Sequence, residues 1–122
     1  MEIGYWIVAT ILAAFNLFAG GSKLLRTQEQ LAPMMAWAGE AVPMRGVRAI
    51  GAVEVLGAVG LLLPPLTGVL PWLAIVAALG FAVLQVLAAA FHISRGEARD
   101  TPLNWITIAV SLLAAWLGTA VV

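Results

Sequence analysis

The chain has 122 residues, 63% of them hydrophobic and 10% charged, with a mean hydropathy of +1.05. A soluble domain this small leaves too much surface exposed to hide so much apolar material, so the composition points to a membrane protein. The formal net charge of +0 gives no footing for nucleic acid, and the lack of cysteine excludes disulfides, thiolate metal sites and thiol–disulfide exchange.

Four apolar stretches follow one another: Ile3–Ser22, Val47–Leu63, Leu70–Phe91 and Leu103–Val122. Each reaches the ~17–20 residues a spanning helix needs, the second only just. The first differs from a cleaved signal peptide, with Glu2 where a basic segment would stand and no small-x-small cleavage site after it. It is expected to remain as a helix. The connection that follows holds Thr27-x-x-Gln30, a capping-box pattern, ahead of Leu31, Met34, Met35 and Trp37. This predicts a short amphipathic helix in the membrane interface, with Pro33 in or near its first turn. Pro64-Pro65-Leu66-Thr67-Gly68 predicts a tight turn in which the prolines end the second span. The third connection, His92 to Pro102, is short and polar, with Asp100 or Thr101 capping the last helix and Pro102 in its first turn.

The fold class is therefore an all-α, four-transmembrane-helix bundle, a single domain over residues 1–122 with a short interfacial helix between the first two spans. Lys23, Arg26, Arg45 and Arg48 fall in or beside the first connection, and Arg95 and Arg99 in the third. This asymmetry places both basic connections in the cytoplasm and both termini outside. Tyr5, Trp6, Trp72 and Trp116 would mark the outer interface, and Trp37 and Trp105 the inner one.

Glu54 is the residue hardest to explain away. A carboxylate deep in a bilayer costs roughly 2.5–3.5 kcal/mol on insertion scales, so it needs a partner, water or a proton. Lys23 and His92 end neighbouring spans on the same membrane face. Asn16 precedes Lys23 by seven residues and Gln85 precedes His92 by seven, two helical turns in each case, so each pair shares a helix face. Asn104 opens the last span there. The candidate ligand-binding set is Asn16, Lys23, Glu54, Gln85, His92 and Asn104, with Glu54, His92 and Lys23 as the candidates for any catalytic role. A structural Lys23–Glu54 pair explains the same residues equally well. Gly20, Gly21, Gly51, Gly57 and Gly60 read as helix-packing surfaces. One histidine and scattered carboxylates give no metal site.

Ala19-Gly20-Gly21-Ser22-Lys23-Leu24, Arg48-Ala49-Ile50-Gly51-Ala52-Val53-Glu54-Val55-Leu56-Gly57, Gly60-Leu61-Leu62-Leu63-Pro64 and Ala88-Ala89-Ala90-Phe91-His92 with Arg95-Gly96-Glu97 together resemble the DoxX-like family. The resemblance covers nearly the whole chain and implies a four-helix membrane bundle, with Lys23, Glu54 and His92 at the polar positions of the family pattern. The wider family includes a subunit of a thiosulfate:quinone oxidoreductase, members associated with redox complexes, and many members without an assigned activity. It implies a multi-pass protein of a bacterial inner membrane and a quinone-like lipophile as the molecule bound, although no cofactor motif is evident. The partners expected are the lipid bilayer, a membrane or redox partner protein, and a second copy of the chain in a homo-oligomer. Two functions follow as expectations. In one, Lys23 and His92 donate hydrogen bonds to a quinone-type carbonyl and a His–Glu pair exchanges protons. In the other, a non-catalytic assembly or chaperone-type subunit uses the same residues as a structural network. Transport is less favoured, because no inverted repeat or broken helix stands out.

Overall fold

Hydrophobic runs longer than a bilayer is thick leave a chain few choices, because every peptide group in hydrocarbon must bond within its own segment. The computed structural model, which describes residues 1–122, meets that demand with helices and contains no strand. In chain order these are α1 (Glu2–Leu25), α2 (Gln28–Leu31), α3 (Met44–Thr67), α4 (Leu73–Ser94) and α5 (Pro102–Leu117), with 3-10 turns at Ala98–Asp100 and Gly118–Ala120. The four long helices are each long and apolar enough to cross a membrane. They run alternately up and down around a ring, α1 against α3, α3 against α4, α4 against α5, and α5 back against α1. The ends of the bundle differ: one carries the 26–43 and 95–101 connections with all the Lys and Arg side chains, the other Pro64, Pro65, the 68–72 turn and both termini. They are called here the basic end and the proline end.

Packing follows residue size. Leu12, Ala13, Ala58, Leu61, Ala78, Phe81 and Ala114 form a core drawn from all four long helices, and Tyr5, Ala9, Ala74 and Leu117 extend it toward the proline end. Long aliphatic side chains such as Ile3, Ile7, Leu56, Leu66, Val83, Leu87 and Ile106 lie outside it, as lipid contact allows. Two glycine positions set the helix spacing. A Cβ on Gly20 would come within 2.7 Å of the Gly51 carbonyl oxygen, and one on Gly51 within 2.7 Å of the Gly20 carbonyl oxygen. On the far half, a Cβ on Gly57 would press into the Phe81 ring. Gly21, expected to pack, meets nothing within 4 Å. Its neighbour Gly20 takes the interface, because one residue rotates the position by ~100° around the helix.

Three further expectations are corrected. The prolines do not end the second span: α3 runs through Pro64 and Pro65 to Thr67 and stops at Gly68, whose φ of +75° permits the left-handed cap. Pro65 has no N–H, which would leave the Leu61 carbonyl without its helical donor; the Tyr5 hydroxyl supplies the missing hydrogen bond. Tyr5 is accordingly fully buried and forms no part of an aromatic belt. The interfacial helix exists but is a single turn, Gln28–Leu31, closed at its start by the reciprocal Thr27–Gln30 capping box. Pro33 follows that helix instead of opening it, and the chain continues in turns to Val42, where Gly39 (φ +83°) donates to the Val42 carbonyl. Leu31, Ala38 and Val47 form a small core that pins this connection to α3.

Candidate functional site at the basic end

The close crossing of α1 and α3 at Gly20 and Gly51 brings the side chains on either side of it together. Lys23 Nζ donates to Glu54 Oε1 at 2.6 Å, and both residues are buried, 7% and 2% exposed. The carboxylate thus has the partner its depth requires, and the amine reaches it from the last turn of α1. Arg48, one turn and a half before Glu54, donates to the carbonyls of Lys23 and Arg26 at 2.6 Å each. Those acceptors lie at the end of α1, where no helical donor remains. Arg48, counted in the sequence only as a topology charge, therefore closes the helix that carries Lys23.

The other pair of helices mirrors this arrangement without charge. Asn104 Nδ2 donates to Gln85 Oε1 at 2.7 Å, joining α5 to α4. His92, in the last turn of α4, has its Nδ1 3.0 Å from Glu97 Oε1. A carboxylate only accepts, so the shared proton sits on Nδ1 and Nε2 is the free acceptor. The expected partnership of His92 with Glu54 is not formed, because the turn at Gly96 (φ +75°) folds Glu97 back onto the imidazole. Arg95 completes this corner, 3.7 Å from Glu97 and stacked over Phe91, whose other neighbour is Trp37, edge-on with ring centroids 6.0 Å apart.

Between the two helix pairs lies a cavity of about 810 Å³. Lys23, Glu54, Gln85, His92 and Asn104 all line it, with Glu97 and Asp100. Phe15, Ile50, Leu84, Leu87, Phe91 and Leu103 supply apolar wall, and the Ala32–Trp37 stretch also lines it.

A family model described as the DoxX-like family matches residues 7–115. The chain belongs to the DoxX-like family. No curated protein and no solved structure matches it.

In this DoxX-like protein, five of the six sequence-derived candidates thus converge on one cavity. Asn16 does not. It is fully buried, its amide donates to the Leu12 carbonyl of its own helix, and it is no part of the cavity lining. Its Oδ1 and the hydroxyl of Ser111, also fully buried, have no protein partner. Seven-residue spacing put Asn16 on the Lys23 face correctly, but two turns further along α1 that face meets packed helices. Ser111 shares a helix face with Asn104, seven residues earlier on α5, and that spacing is its signal in the sequence. The aromatic wall (Phe15, Trp37, Phe91) and the carboxylates Glu97 and Asp100 carry no pattern that separates them from ordinary interface residues, so the sequence does not single them out as lining.

Proposed function

We propose that this multi-pass membrane protein binds a lipophilic molecule with a polar, quinone-like head in the cavity at the basic end, as a subunit of a redox-associated system. The observation that supports the reading is the cavity itself. Its volume falls within the roughly 300–1,000 Å³ common for small-molecule sites, and a few polar groups converge on otherwise apolar walls. The Lys23 ammonium has donors beyond the one Glu54 accepts, the Asn104 and Gln85 amides offer further hydrogen bonds, and the contact of His92 Nδ1 with Glu97 leaves Nε2 as an acceptor facing the ligand. Electrons come from a partner protein, since the chain itself offers no redox group.

A second reading has its own observation. Lys23 with Glu54, Gln85 with Asn104, and His92 with Glu97 are each mutually paired, as a structural network in an assembly subunit would be. One experiment separates the two. Native mass spectrometry of the detergent-purified protein, with decyl-benzoquinone added in its reduced, hydroquinone form, whose hydroxyl can donate to the His92 Nε2, is expected to show a one-to-one complex whose affinity drops at least tenfold in His92→Phe. The contact of His92 with Glu97 is only part-buried, and Arg95 remains beside that carboxylate, so the fold tolerates the change. A protein that stays empty at every quinone concentration leaves the assembly reading.

A further inference from the structure

We propose that the cavity opens sideways into the lipid between α3 and α4, and that the hydrocarbon tail of its ligand lies in that opening while the head reaches Glu54 and Gln85. The inference rests on the proposed binding function and adds the route and the class of ligand: a membrane-resident amphiphile with a chain of ten or more carbons.

On the proline half, Gly57 faces Phe81 and Gly60 faces Ala77, close enough that a Cβ on either glycine would lie 2.6 and 3.2 Å from its neighbour. Seven residues toward the basic end on each helix, two full turns on the same face, Ile50 stands opposite Ala88. These residues belong to none of the packed cores; both line the cavity. The lining continues outward along α4 through Leu84 to Leu87, which is 62% exposed and so lies on the surface that lipid covers. Inward at the same level are Glu54 and Gln85. A path therefore runs from lipid, past aliphatic side chains only, to buried polar groups. The bilayer offers such a path no water, and a chain that stays in hydrocarbon while its head finds hydrogen bonds is the occupant whose chemistry matches both ends. The opposite side of the ring, between α1 and α5, also lines the cavity through Ala19 and Leu103, the latter 56% exposed, but there the Phe15 ring adds bulk where α4 presents Ala88.

Two measurements test this, and they fail separately. The natural chain has no cysteine, so a nitroxide on Ala88→Cys is a clean reporter in liposomes. Its spectrum is expected to respond to lipid-dissolved oxygen and not to an aqueous nickel chelate; a label shielded from oxygen overturns the opening. Binding is then measured for two benzoquinones with the same head, one with a ten-carbon chain and one with none. Ala88→Phe is expected to weaken the chain-bearing quinone at least tenfold more than the chainless one, while Ala19→Phe shows no such preference between the two. Equal effects of Ala88→Phe on both quinones, or an effect that moves to Ala19→Phe, overturn the tail site. A label open to lipid on a protein that binds neither quinone overturns the function proposed above and the tail's place in it, while the opening itself stands.

Discussion

The two ends of the bundle solve the same problem, four helices with few polar residues to join them, in opposite ways. At the proline end the helices close on one another: Gly57 receives Phe81, Gly118 lies against Ile75 and Tyr5, and the Leu61 carbonyl, which Pro65 deprives of its helical donor, is satisfied by Tyr5. At the basic end only neighbours along the sequence order of pairing meet. α1 holds α3 through Lys23–Glu54 and Arg48, and α4 holds α5 through Gln85–Asn104. Between those two pairs the space stays open. Polar side chains thus join helices pairwise where the bundle splays, and small residues join all four where it closes. A cavity with a polar floor follows from that division.

The largest test of the division is to remove one charge of the buried pair. Glu54→Ala leaves the Lys23 ammonium buried beside nothing, and breaking such a pair costs about 3–5 kcal/mol. The expected result is a large drop in the thermal midpoint in mild detergent, followed by tryptophan fluorescence. Lys23→Met with Glu54→Leu removes both charges and is expected to recover most of that loss. If the double variant is as unstable as the single one, the pair is not what joins α1 to α3.

Next comes the crossing that permits the pair. Gly51→Ala forces a Cβ toward the Gly20 carbonyl and the Lys23 Cβ, and overpacking of this kind costs about 1–3 kcal/mol. Gly21→Ala, one step from the other half of the crossing, meets open space and is expected to hold or raise the midpoint through helix propensity. Equal losses from the two substitutions would mean that α1 packs on a different face.

How much of this the sequence carried depends on how far each residue's requirement reaches. A carboxylate in the middle of an apolar run needs a partner whatever the fold, so Glu54 announced itself, and Lys23 was one of two groups able to answer. Gln85 and Asn104 were legible for the same reason. His92 lines the cavity but meets Glu97 and not Glu54, because the curl of the 95–97 turn is decided by local backbone geometry that hydropathy does not record. Asn16 shares a face with Lys23, yet a helix face changes its surroundings along its length, and spacing alone cannot say where the cavity stops. The proline rule failed at Pro65 for a comparable reason: it counts the lost N–H and not the distant hydroxyl that replaces it.

That replacement gives the smallest effect and the most specific one. Tyr5→Phe removes only the hydroxyl and leaves the Leu61 carbonyl buried without a donor, a loss of about 1–3 kcal/mol. Any buried hydrogen bond would give such a number, so the single variant alone does not identify the cause. Pro65→Ala does. It restores the N–H that an uninterrupted helix would aim at the Leu61 carbonyl, so in that background the hydroxyl has a competitor and Tyr5→Phe is expected to cost less than half as much. Additive losses from Tyr5→Phe and Pro65→Ala would show that Tyr5 stabilises the proline end by filling space. A strong coupling would show that a residue sixty positions away lets α3 run through Pro65, and so holds the closed end against which the basic end splays.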